Sequence, residues 1–221
     1  MKNFSLSTFR SMFPTDDAAL AYIFESRIHE FTCKCSERGL SAPVWVRKTG
    51  RKVYSCKRCG TQVSPLAGTI MHGSSTPVTL WLYAMFKFST SKNGVSAKEL
   101  QRELGVTYKC AWRMGNKIRS LFLTPNNDVL SVKVLYDYKS SKITSLKRDY
   151  IAIESLNKKK AIPNNYFGQL KRSLDGTFHY VSPKYLDSYL QEFAFKVQRS
   201  DTSETFYYLL EKALIPVMVN A

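Results

Sequence analysis

The chain has no long hydrophobic run. Its most apolar stretch, residues 80–88, is too short to span a bilayer and contains Lys87. Residues 1–14 hold no apolar segment of the kind a signal peptide requires. Acidic residues are scarce: 17 Asp and Glu stand against 33 Lys and Arg, for a net charge of +16 and an expected polyanionic partner. No basic amphipathic helix with a clean apolar face accompanies that charge, so a membrane surface explains it poorly. Cysteine is also sparse. Of five, four cluster in the first third of the chain, which suits a metal site in an intracellular protein better than a disulfide framework. Internal repeats and low-complexity tracts are absent.

What remains is the composition of a folded protein. Hydrophobic residues make up 44% and aromatic residues 13% of 221 positions, enough for one or two domains with a real core. The pattern along the chain predicts an α+β protein in four parts. Residues 1–30 form a helical opening, with Asp16-Asp17 at a helix start where the dipole favours acids. Residues 31–68 form a small zinc ribbon, with strands at Val44-Trp45-Val46 and Lys52-Val53-Tyr54 around a Thr49-Gly50 turn. Residues 69–122 form a helix-turn-helix domain, and residues 123–221 form a smaller mixed segment. In that last part, 129–138 and 150–153 read as strands and 139–148 as a polar, basic connection. Helical tracts follow at 166–174 and 183–214.

Cys33, Cys35, Cys56 and Cys59 are the expected metal ligands. Cys56-Lys57-Arg58-Cys59-Gly60 is a knuckle with C-x2-C spacing, and 20 residues separate it from Cys35. The first pair has one intervening residue instead of two, which leaves His29 as an alternative ligand. Four thiolates at a tetrahedral centre suit structural zinc, with no open position for water.

Pro77 near a helix start, then Asn93-Gly94, punctuate the next region. Ser96-Ala97-Lys98-Glu99 is a capping box. That helix ends at Leu104-Gly105, and the next starts at Thr107; two short helices joined by a Gly-containing turn are the helix-turn-helix signature. A helical wheel from Thr107 puts Cys110, Ala111, Met114, Ile118 and Leu121 toward the core. It puts Tyr108, Lys109, Trp112, Asn116 and Arg119 on the opposite face, with Arg113 at its edge. Those six are the expected contacts to double-stranded DNA: basic side chains for phosphate or guanine, and Asn116 for adenine.

The order of motifs resembles bacterial insertion-sequence transposases with an N-terminal zinc ribbon, a helix-turn-helix and a DDE catalytic domain of RNase H-like fold. The resemblance rests on Phe13-Pro14-Thr15-Asp16-Asp17-Ala18, Tyr54-Ser55-Cys56-Lys57-Arg58-Cys59 and Ser64-Pro65-Leu66-Ala67-Gly68-Thr69-Ile70. It continues through Trp81-Leu82-Tyr83-Ala84-Met85-Phe86 and Ser91-Lys92-Asn93-Gly94-Val95-Ser96-Ala97. It returns at Leu170-Lys171-Arg172, at Gly176-Thr177-Phe178-His179-Tyr180-Val181-Ser182-Pro183-Lys184-Tyr185-Leu186 and at Glu192-Phe193-Ala194-Phe195.

The family's activity needs three carboxylates that hold two metal ions. By that resemblance its first aspartate corresponds to Asp137, and the position of its final glutamate is Asn164, an amide and a poor magnesium anchor. The second aspartate has no good counterpart; Asp149 is the nearest. His179 would fall near the catalytic centre. The resemblance therefore implies a shortened RNase H-like remnant with Asp137 and Asn164 as relics, and magnesium only if catalysis survives. The expected function is a transposase-derived, zinc-dependent DNA-binding protein, cytoplasmic and nucleoid-associated, with the C-terminal part as scaffold or homodimer surface and no membrane partner. An active DDE transposase and a protein-interaction module or decayed relic are the alternatives.

Overall fold

The computed structural model describes residues 4–39, 43–48, 50–122, 133–137, 142–147, 170, 172–178, 181–198 and 201–215. The chain divides into two compact units, Met1–Phe86 with Leu210–Ala221, and Lys87–Leu209. Helices and two antiparallel sheets make the protein α+β, as the sequence predicts.

The first unit starts with helices α1 (Leu6–Met12) and α2 (Asp16–Ser26), both begun by a hydroxyl cap. Ser5 Oγ accepts from Thr8 N at 3.2 Å and Thr15 Oγ1 from Ala18 N at 3.1 Å, which satisfies amides that a helix start leaves without partners. Asp16 does more than complement its own helix. Its carboxylate accepts from Thr79 N at 3.0 Å, in the first turn of α4 (Val78–Thr90). Trp81, Leu82 and Met85 of α4 are at most 1% exposed, as are Leu20 and Ile23 of α2.

Between these helices lie a short α3 (Lys34–Glu37) and a three-stranded antiparallel sheet in the order β1 (Trp45–Lys48), β2 (Val53–Cys56), β3 (Gln62–Val63). Trp45 faces Cys56 across β1 and β2, and Tyr54 faces Val63 across β2 and β3. Phe24 of α2 fastens the sheet: its ring stacks on Tyr54 at 3.8 Å and on Phe31 at 5.4 Å, and meets Trp45 edge-on at 6.1 Å. The connection to α4 is held by the buried Arg27 and the half-buried Lys52. Arg27 donates to the carbonyls of Pro65 and Ala67, and Lys52 to that of Thr76 at 2.6 Å.

In the second unit, α5 (Ala97–Leu104) and α6 (Tyr108–Arg119) follow the end of α4. Ser96 caps α5 by accepting from Glu99 N at 3.2 Å, while the Glu99 carboxylate pairs with Lys87 at 3.3 Å. Gly105 ends α5 in the left-handed conformation, and Thr107 Oγ1 caps α6 by accepting from Cys110 N at 3.3 Å. Next come β4 (Lys133–Asp137) and β5 (Lys142–Lys147), a two-stranded antiparallel sheet with a bulge between Leu135 and Tyr136. β5 falls within the stretch 139–148, expected as a polar, basic connection between strands: Ile143, Thr144 and Leu146 suit a strand despite flanking lysines, and the charge masked them. The strand expected at 150–153 lies outside the described residues.

A single π-helical turn, Leu174–Phe178, precedes α7 (Pro183–Gln198) and α8 (Thr202–Leu214). The helical stretch expected over 183–214 is thus two helices, and Asp201 starts the second by accepting from Ser203 N at 2.8 Å. Leu170, Leu174, Val181 and Phe193 form a core against which Tyr185 and Tyr189 pack.

Candidate metal centre and nucleic-acid interface

Four thiols meet at the open end of the small sheet. Cys33 directly precedes α3, Cys35 lies on it, Cys56 ends β2, and Cys59 closes the loop before β3. Their sulfurs all lie within 4.8 Å of one another. Cys33, Cys35 and Cys56 are buried, and Cys59 faces solvent. The knuckle forms because Gly60 adopts a φ of +72°, which an L side chain rarely takes, and its amide donates to Cys56 O at 3.0 Å. The irregular first spacing is absorbed by the helical turn at Cys35, so both sulfurs of that pair still point into the cluster. His29 is not needed: it sits exposed on a separate turn, Ile28–Glu30, and the four cysteines converge without it.

The thiols differ in acidity. The hydroxyl and amide of Thr61 hold Cys59 down at about 5. Cys56 is also lowered, chiefly by the amide of Cys59. Burial pushes Cys35 up to about 12. A divalent cation would override this split by stabilising all four thiolates, with release of protons. Four sulfurs with no carboxylate or imidazole among them form a soft donor set that could hold a metal ion such as zinc.

The second candidate site is α6. Tyr108 is 52% exposed, and Lys109 and Arg113 are exposed beside it. Asn116 is half-buried. Ala111, Met114 and Ile118 are buried as the wheel predicts, and so is Leu121, past the helix in the turn Ser120–Phe122; Cys110 is only half-buried. Trp112 is half-covered, its ring edge-on to Tyr185 of α7 at 5.3 Å.

Arg119 departs most from expectation. It is 2% exposed and unavailable to DNA. Its Nε donates to Glu192 Oε2 at 2.8 Å and its Nη2 to the Val95 carbonyl. Its guanidinium lies 4.0 Å from the Tyr189 ring centre and 5.1 Å from that of Phe88. The physical reason is tertiary. Tyr108, Trp112 and Arg119 share one stripe of α6, and that stripe passes progressively beneath α7, which a wheel of α6 alone cannot show.

Lys117 was missed by sequence reasoning although its spacing was visible: Lys109, Arg113 and Lys117 recur at every fourth residue. Lys117 is half-buried, and burial, with help from the Arg113 charge, holds its ammonium below the usual lysine range.

Asp137 is the last residue of β4, opposite Lys142. Asn164, Asp149 and His179 lie outside the described residues. No helix among the described residues is long and apolar enough to cross a membrane.

Residues 134–198 match the family model of the ISXO2-like transposase domain. No curated protein and no solved structure matches the chain. The matched segment begins in β4, includes Asp137 and ends with α7, and it supports an insertion-sequence transposase family for this protein.

Proposed function

We propose that this is a transposase-derived DNA-binding protein whose ribbon is built on structural zinc and whose α5–α6 pair reads duplex DNA. The carrying observation is the exposed N-terminal half of α6, where Tyr108, Lys109 and Arg113 stand together, in a chain of net charge +16 with a transposase-domain match. Lys109 and Arg113 would contact phosphates or guanine edges, and Asn116 an adenine edge. On the ribbon, the exposed Lys34, Lys48, Arg51 and Lys57 favour phosphate contacts that carry no sequence information.

Selection of bound duplexes from a random pool at physiological salt, with zinc and after chelation, tests this reading. Enrichment of a discrete motif that disappears on chelation and in the Lys109→Ala, Arg113→Ala double variant is the expected result. Enrichment unchanged by that double variant removes α6 from the account.

A second reading, retained metal-dependent DNA cleavage and joining, is favoured by the match itself, which runs across both Asp137 and Asn164. Asn164 in place of a carboxylate argues for binding without strand transfer. Magnesium-dependent nicking by the full chain that is lost in Asp137→Ala would decide for the enzyme.

A further inference from the structure

The π-turn, the buried ion pairs and the exposed apolar positions of the ribbon carry no ligand chemistry of their own; the junction of α6 with α7 does. We propose that the duplex-binding surface continues from α6 onto α7, with Lys184 as a phosphate-binding residue and Tyr185 as the bracket that places it. This rests on the reading of α5–α6 as the DNA-binding pair.

Tyr185 bridges the two helices. Its amide donates to Ser182 O at 2.9 Å, which fixes the turn entering α7, and its ring meets Trp112 at an interplanar angle of 81°. Lys184 is exposed, with Nζ 5.6 Å from the Tyr185 ring centre. A cation over an aromatic face is attracted to it yet keeps its N–H donors for another partner. One turn before Trp112 on α6 stands the exposed Tyr108, flanked by Lys109 and by Arg113 on the next turn.

The two helices therefore present one surface of three aromatic rings and three cations. Of the acidic groups of α7, the exposed Asp187 lies about 200° round the helix from Tyr185 and about 60° from Lys184, at roughly 100° per residue. Glu192 is occupied by Arg119 and Lys196. A polyanion with regularly spaced phosphates matches such a surface. Lys184, a compact charge on a flexible stem, suits a backbone phosphate beside the bases read from α6.

The test measures affinity against salt concentration for the zinc-loaded full chain, with a duplex recovered by the selection above and a random duplex of equal length. Lys184→Ala is expected to lower the slope of log K against log salt by about one, close to the value for one phosphate contact. It should weaken both duplexes by the same factor, and Lys184→Arg should restore both slope and affinity. Arg10→Ala, which removes one exposed charge from α1, should leave the slope unchanged. An unchanged slope in Lys184→Ala overturns the proposal while the α6 reading stands if Lys109→Ala, Arg113→Ala still abolishes selectivity. An equal loss in Arg10→Ala overturns it too, since bulk charge would then suffice. Absence of duplex binding by the unaltered protein overturns both readings together.

Discussion

Around the ribbon's thiols, the buried side chains are Cys33, Cys35 and Cys56, with Trp45 packed against them. In the helical unit the buried polar centre is Arg119, Glu192 and Lys196, with side chains 2%, 3% and 8% exposed, among the rings of Phe88, Phe178 and Tyr189. Both regions concentrate reactive or charged groups away from water, but they stabilise them differently. The sheet of the first unit has three short strands fastened by Phe24, and a metal held by its four cysteines would add coordination bonds to that packing. The helical unit has enough ring surface to enclose two cations and a carboxylate that satisfy one another. Its ion network gives it a defined packing of α6 on α7 more than a large net stability.

The sharpest break in this comparison is chelation of a metal that the four cysteines would hold. Structural zinc contributes an apparent ~10–16 kcal/mol in small zinc-finger peptides. Chelation, or Cys56→Ser, should therefore unfold the ribbon while the helical unit keeps its structure. Amide resonances of residues 43–63 should collapse on chelation and those of α5 and α6 persist. Retention of dispersed ribbon signals without metal would show that the ribbon's apolar contacts suffice and end the contrast.

Next comes the ion network. Glu192→Ala leaves two buried cations facing each other and should cost about 3–5 kcal/mol, read from urea unfolding. Replacing the network together, Arg119→Met and Lys196→Met with Glu192→Leu, should cost much less than the single change, because no charge is then left unpaired. A triple variant as unstable as Glu192→Ala would assign the network a stabilising role of its own. Gly94 tests the same wall from its other side. With φ of +89°, and with Phe178 Cζ 2.6 Å from where a Cβ would stand, Gly94→Ala must displace the ring against Arg119. A loss of about 1–3 kcal/mol is expected, and no loss would mean that Phe178 swings aside freely.

The parts that were legible in the sequence are those decided by neighbours in the chain. The helix starts at Asp16-Asp17, Ser96 and Thr107, the stop at Gly105 and the knuckle at Cys56 to Gly60 all depend on residues within a few positions, and they form as their spacing predicts. Cys33 with Cys35 was legible in type but not in geometry, since one turn of α3 compensates for the missing residue. Arg119 was illegible for a different reason. Its wheel position is shared with the exposed Tyr108, and only α7, more than 60 residues later in the chain, distinguishes them. Tyr185 carries the same lesson: nothing local says that it will meet Trp112. The strand β5 was hidden by charge, because a strand with lysine at both ends reads as a loop when its partner β4 is not considered.

The smallest expected effect separates local from tertiary stabilisation at α8. Asp201 accepts from the Ser203 hydroxyl at 2.6 Å and from the amides of Ser203 and Glu204, and these bonds, the Ser203 hydroxyl first, hold its carboxyl below the ordinary value of 3.8. A depressed folded value means that the unfolded chain takes up the proton first as pH falls. The stabilisation is therefore fully present above about pH 4, where the unfolded carboxyl is ionised, and is lost as pH drops through the folded value. Asp201→Asn keeps an acceptor at the cap but cannot titrate, so its stability should fall less steeply with acid than that of the unaltered chain. Thermal melts from pH 6 down to pH 3 would show the two curves converging at the acid end. Parallel curves would mean that the cap acts only through its geometry, and that acid sensitivity arises elsewhere in the chain.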